Sequence, residues 1–336
     1  MLPDPSAPAA PIKAAGLNGH PRPDLVGPSG LNAAQQHTMD ALLTLPEERR
    51  TFPDNLADAL RARLEEGLSA SAAVMKAAKT TFGKHDIATV LACEDHHLSS
   101  KNTFSWSVAT ARGSLAHKAI QLGSFGPLRG AAPSVLVAAA AASYMDGWER
   151  PGELGHWLAE ECTVAERGEL EGDAVDRVTK FQDSFPPLQS AWAPRVESAA
   201  KAELLDGNVV LRGKYDLALS LRRGDPSSTV IIDFKTGGVM QGHRDDLRFY
   251  ALLETLRARV PPWRVATFDL DSATFVPEEI NEGVLDAALA RTIRGVTLCA
   301  ELWLDNRDAT RTAGAQCRWC ELRRDCPVAV TRDDDR

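Results

Sequence analysis

Apolar residues recur at helical spacing through the first half of this chain and alternate through much of the second. Leu56, Leu60, Leu64 and Leu68 stand four apart within 54–79, which predicts one apolar stripe along a helix. The stretches 32–45, 85–97 and 106–122 predict further helices. The stretch 133–148 is so nearly apolar that it predicts a buried one. From 151 to 185 the pattern stays mostly helical, with Gly168 and Gly172 as breaks. The period then changes. The stretch 195–205 fits strand or helix, whereas 209–221 predicts a strand and 228–234 the next. Gly224-Asp225-Pro226 between them is a turn signal, so the two strands form a hairpin. A helix over 243–260 stops at Pro261-Pro262. Strands over 263–270 and 274–276 flank Asp271-Ser272, and a long helix over 278–304 follows. No internal repeat is present. The pattern is α/β, with a helical N-terminal half and a mixed C-terminal half. The Pro- and Ala-rich leader, 1–31, is expected to be disordered, 32–84 to be a helical segment, and 328–336 a charged tail.

Composition narrows the function classes. The 336 residues carry a formal net charge of −8, unlike a protein that coats nucleic acid through a basic surface. A nuclease is not excluded, since metal ions bring positive charge to a site. No apolar run reaches the length of a membrane span. The nearest approach, 135–142, is short and followed by Asp146. The leader lacks the basic and apolar regions of a signal peptide, so a cytoplasmic protein is expected, with no membrane partner. Six cysteines are too few for a disulfide scaffold at this size. Cys317, Cys320 and Cys326 cluster near the C-terminus, which in a cytosolic protein favours metal ligation.

The chemistry concentrates in Val230-Ile231-Ile232-Asp233-Phe234-Lys235-Thr236-Gly237. Side chains alternate along a strand, so Asp233 and Lys235 share a face at its end. Gly213-Lys214-Tyr215-Asp216 lies in the preceding strand. If the two strands pair, Asp216 approaches Asp233, and two converging carboxylates repel unless a cation bridges them. Mg²⁺ or Mn²⁺ suits such oxygen ligands, with Lys235 serving the attacking water or the phosphate. Either motif alone is more simply a surface acid and an ion pair. In tandem, one hairpin apart, they favour a site. His117, in Gly113-Ser114-Leu115-Ala116-His117, adds a candidate imidazole ligand. Arg244 and Arg248, on the helix that carries Tyr250, are candidate contacts to a nucleic-acid backbone, and a solvated helix face explains them equally well.

The order of these motifs resembles the RecB-like branch of the PD-(D/E)XK nucleases: Gly-x-x-x-His, Gly-x-x-Asp, Asp-x-Lys-Thr-Gly, then a helix with Tyr-Ala. The likeness runs from Cys93 to Pro327 and defines a nuclease domain over 85–327. It implies a restriction-endonuclease-like core, a mixed central sheet flanked by helices. It implies His117, Asp216 and Asp233 as ligands of Mg²⁺ or Mn²⁺, and Lys235 as the catalytic lysine beside them. Tyr250 falls on the tyrosine of the family's last motif. The family's glutamine four residues earlier is Asp246 here, which puts the role of that helix in question.

Three thiolates are one short of a closed tetrahedral zinc site or a [4Fe–4S] cluster. Members of the branch that carry an iron–sulfur cluster take the fourth cysteine from upstream of the histidine motif. Cys93 stands there, so the resemblance implies a [4Fe–4S] cluster on Cys93, Cys317, Cys320 and Cys326. Zinc on the same four is the rival, and a site completed by His96 or His97 a weaker one. Cys162 and Cys299 read as small buried apolar residues, and Trp319 as a packing cover over the metal site. The expected function is a Mg²⁺- or Mn²⁺-dependent deoxyribonuclease, an exonuclease more than a site-specific cutter. Its role would lie in DNA end processing for repair, recombination or defence, with DNA and a helicase or other repair or defence protein as partners. The alternatives are a non-catalytic DNA-binding module and a zinc-stabilised interaction protein.

Overall fold

The alternating half of the chain supplies five strands of one six-stranded mixed sheet, and helices from both halves cover its faces. The computed structural model describes residues 30–43, 51–75, 80–100, 105–146, 148–222, 224–238, 241–303 and 307–329. The leader before Gly30 and the tail from 330 lie outside the described residues. The helices are α1 (Ala33–Leu43), α2 (Leu56–Met75), α3 (Lys84–Ala92), α4 (Glu94–Ser100), α5 (Val108–Ser124), α6 (Pro133–Met145), the single turn α7 (Leu154–His156), α8 (Val164–Ser184), α9 (Gln241–Ala258) and α10 (Glu282–Trp303). The strands are β1 (Thr80–Phe82), β2 (Arg195–Leu204), β3 (Val209–Ser220), β4 (Thr229–Lys235), β5 (Arg264–Asp269) and β6 (Thr274–Glu279).

β3 organises the sheet. β2 pairs antiparallel along one of its edges. The other edge is shared: β1 pairs parallel with Val209–Leu211, and β4 pairs antiparallel from Leu217 onward. β4 continues in parallel to β5 and then antiparallel to β6. β1 is a strand that the hydrophobic pattern does not announce, being three residues long within the segment 32–84. The uncertain stretch at 195 is strand. β6 extends to Glu279 and carries Pro277, which an outermost strand tolerates because no ladder needs its missing N–H. For that reason α10 begins at Glu282 rather than at 278.

Two apolar cores lie against the two faces. One joins α2, α3, α9 and α10 to Leu211, Tyr215, Ile231 and Val265. The leucine stripe of α2 is its axis, with Leu60, Leu64 and Leu68 at most 1% exposed. The other joins α1, α5, α6 and α8 to Leu217, Leu219, Ile232, Phe234 and Phe268. Within it α8 runs 21 residues without a break. Gly168 and Gly172 face solvent inside it, tolerated because Leu170, Ala174 and Val178 bury the opposite side. α6 buries only Leu136, Val137, Ala140 and Ala141, leaving Val135 48% exposed. Apolar composition overstated its burial. No described helix is long and apolar enough to cross a membrane.

The alternation of the sheet is interrupted at one place. In β3 the odd-numbered residues are apolar throughout, yet Val209, Leu211 and Tyr215 enter the first core while Leu217, Leu219 and Leu221 enter the second. The strand turns over at Asp216. β2 turns over beside it: Ala200, Ala202 and Leu204 enter the first core, and Val196 packs on the second. Val196 still pairs with Leu217 and Ser198 with Tyr215, so Glu197 stands opposite Asp216 at the turnover. Glu197 has φ 51°, a left-handed conformation that a residue with a Cβ adopts at a cost.

Candidate active site

Past Leu217–Ile232 the ladder between β3 and β4 ends, and the strands part into a fork. The next step of that register would set Asp216 against Asp233. Instead, the Asp216 carboxylate fills the fork and accepts the backbone N–H of Phe234 through Oδ2 at 2.7 Å. Its Oδ1 lies 3.3 Å from Nδ1 of His117, which α5 lowers onto the fork from the second core. The α5 backbone comes close there because Gly113 lacks a side chain: a Cβ on it would meet Thr236 Oγ1 at 3.1 Å. Gly213 does the same on the other face, where a Cβ would meet the Tyr250 ring at 2.7 Å. Both motif glycines are therefore spacers that let a helix reach the sheet.

The ligand atoms of His117, Glu197 and Asp216 all lie within 4.8 Å of one another, the one such trio found among the described residues. Motif spacing does not single out Glu197. Nothing in the pattern of β2 marks it, because its position depends on the shared turnover of two strands. It is also paired with Lys214. Burial alone would push the Asp216 carboxyl up, but His117, the Phe234 N–H and Lys235 overcome that and hold it below the ordinary carboxylate range. Burial alone would lower His117, but Asp216, Asp233 and Glu197 raise it. This concentration of negative charge is what a divalent cation offsets.

Asp233 faces the other core, beside that trio. Its Oδ2 lies 2.5 Å from Lys235 Nζ, yet no donor meets that buried oxygen in hydrogen-bonding geometry. Its Oδ1 meets a second lysine, Lys84, at 3.3 Å. Lys84 is the first residue of α3 and also lies 3.4 Å from Asp246 Oδ2 and 4.9 Å above the Tyr250 ring. Tyr250 is buried, edge-on to Tyr215, and burial, offset in part by Lys84, pushes its hydroxyl up to about 12. His243, in the first turn of α9, is lowered by burial and by the nearby Lys235 and Lys84. Neither Lys84 nor His243 stands in a recognisable motif. Arg248 is bound to Glu278 at 2.6 Å and Arg244 stands 3.7 Å from the same carboxylate, so both arginines turn toward β6.

The four cysteines form a separate lobe. The expected helix 85–97 is broken at Cys93, whose backbone is extended between α3 and α4, and this aims its thiol at the C-terminal loop. Cys93, Cys317, Cys320 and Cys326 line one small cavity. His96 lines it too, with Nδ1 buried and unbonded. His97 points elsewhere, to Thr89 at 2.7 Å and Cys299 at 3.5 Å. Cys299 is fully buried as expected, whereas Cys162 is half-buried. Trp319 is 59% exposed and so does not cover the cavity. The loop is tied down by Arg307, bidentate on Glu94 at 2.6 and 2.7 Å, and by the Thr310 N–H on the same carboxylate at 2.7 Å.

Residues 86–327 match the PD-(D/E)XK nuclease superfamily. A solved structure from Eubacterium rectale, a provisionally assigned exonuclease, is similar with a TM-score of 0.44 at 12% identity, covering 76% of this chain and 92% of that one. The structure of SSO0001 is similar with a TM-score of 0.33 at 15% identity, covering 81% and 95%. Neither likeness is close enough to carry function. No curated protein matches the chain.

Proposed function

The chain belongs to the PD-(D/E)XK nuclease superfamily, and on that premise we propose that it is a divalent-metal-dependent deoxyribonuclease acting on DNA ends. One observation carries the reading: His117, Glu197 and Asp216 converge at the strand fork, with Asp233 and Lys235 beside them. His117, Glu197, Asp216 and Asp233 would hold Mg²⁺ or Mn²⁺. Bound there, such an ion supplies positive charge for the phosphodiester and makes a water more acidic. In this reading Asp233 holds Lys235 at the fork, where its ammonium meets the attacking water or a phosphate oxygen. Hydrolysis then forms one P–O bond from water and breaks one ester P–O bond. The Phe234 N–H fixes Asp216 and leaves its other oxygen for His117 and the ion. The matched region takes up most of the described chain, and no separate recognition domain stands among the described residues, which favours end processing over site-specific cutting. Repair, recombination or defence, with a helicase or other partner feeding the site, is the setting we propose.

For the cysteine lobe we propose a structural [4Fe–4S] cluster on Cys93, Cys317, Cys320 and Cys326. Four thiolates on one zinc, each at about 2.3 Å, lie about 3.8 Å apart. All four cysteines line one cavity, and the likeness to cluster-bearing members of the RecB-like branch favours the cluster over such a single zinc.

The test is a cleavage assay on end-labelled single- and double-stranded DNA with Mg²⁺ or Mn²⁺. It uses anaerobically purified protein beside Asp233→Ala and Lys235→Ala, with iron, sulfide and zinc counted in the same samples. Cleavage that both substitutions abolish supports the reading. An inert parent, or variants that cut as well as it does, would overturn it, and stoichiometric zinc without iron would overturn the cluster.

A further inference from the structure

Lys84 is badly placed for the helix it begins. A cation on the first turn opposes the helix dipole, and Asp86 already caps the Gly83 N–H at 2.9 Å. What holds the ammonium is a pair of carboxylates from two other elements, Asp233 Oδ1 at 3.3 Å and Asp246 Oδ2 at 3.4 Å, with the Tyr250 ring 4.9 Å beneath. Two acids bridged by one cation, at the edge of a metal site, is the arrangement that receives the second ion of a two-ion centre. Here a side chain of the protein occupies it.

We infer that Lys84 takes the place of a second metal ion, so that the site works with one divalent cation per chain. Asp246, which departs from the family's glutamine, is the acid that anchors it. The inference rests on the proposed nuclease site for the position of the first ion, but it is decided by counting ions rather than by cleavage.

The experiment is a Mn²⁺ titration of the anaerobically purified full chain, followed by the electron paramagnetic resonance of free Mn²⁺. The parent is expected to bind one ion and Lys84→Ala two, the added ion entering between Asp233 and Asp246. Lys84→Arg and the double variant Lys84→Ala/Asp246→Asn are expected to return to one, and their ion also verifies that the variants are folded. Two ions in the parent, or one in Lys84→Ala, would overturn the inference even in a protein that cleaves DNA. No ion in the parent would overturn the metal site itself, and with it both readings.

Discussion

The strand fork and the cysteine lobe hold their chemistry in opposite ways. At the fork, the residues that carry the acids belong to strands buried on both faces: β4 is buried from Thr229 to Phe234, and β3 is locked between β2 and its partners on the other edge. The apolar cores fix the backbone, and the charged groups are held in place against their own repulsion. The lobe has little of this. Its turns, Ala315–Arg318 and Glu321–Arg324, bury Cys317 and leave Leu322 and Trp319 exposed. It is attached by Glu94 with Arg307 and by Asp95 with Arg311, and the four thiols line its small cavity. Apolar burial can therefore position a functional site at some cost in stability. On the proposed reading, a segment with so little core depends on its cluster to hold its fold.

The sharpest way to break this contrast is to damage both regions and read activity and stability together. Asp216→Asn keeps an acceptor for the Phe234 N–H and relieves the crowding with Glu197. Cleavage is expected to fall by about 10³-fold, the scale of losing one preorganised electrostatic group, with no loss in melting temperature. Cys93→Ser is expected to do the reverse to stability, lowering the melting temperature and exposing residues 307–329 to proteolysis. If both variants melt like the parent, the lobe does not depend on its ligand and the contrast fails.

Gly213→Ala tests how closely the fork is packed. The added Cβ meets the Tyr250 ring at 2.7 Å and Leu253 at 3.1 Å, an overpacking that costs about 1–3 kcal/mol. It also tilts the ring beneath Lys84, so chemical denaturation and cleavage are both expected to weaken. A neutral substitution would show that the first core yields there.

The smallest effect is on the lobe's tether. The Arg307 guanidinium, opposed by burial and helped by the Thr310 N–H, holds the Glu94 carboxyl below its ordinary value of 4.5. A depressed carboxylate stabilises the fold above its unfolded value, and that contribution is lost as pH falls through the folded value. The gap in melting temperature between parent and Glu94→Gln is expected to be constant near neutrality and to close in acid, starting below 4.5. A gap that does not change with pH would mean that Glu94 acts by shape alone.

Much of the molecule is legible in the chain. Periodicity identifies the long helices, and the hairpin of β3 and β4 is marked by its turn. The motif order marks His117, Asp216, Asp233 and Lys235, and the family likeness points from the three C-terminal cysteines to Cys93, which lines the same cavity. These features depend on local pattern or on motif order, which a sequence displays directly. Glu197 and Lys84 do not. Glu197 reaches the site because β2 and β3 turn over together at one step, while the alternation of β3 reads as unbroken on paper. Lys84 reaches it because a three-residue strand pairs with a partner well over a hundred positions away and delivers the start of α3 to Asp233. The kind of chemistry the chain carries is thus written in its order of residues. Which further charges surround that chemistry is a product of the folded chain, because electrostatic neighbours are set by long-range strand pairing and packing, and neither leaves a local trace in that order.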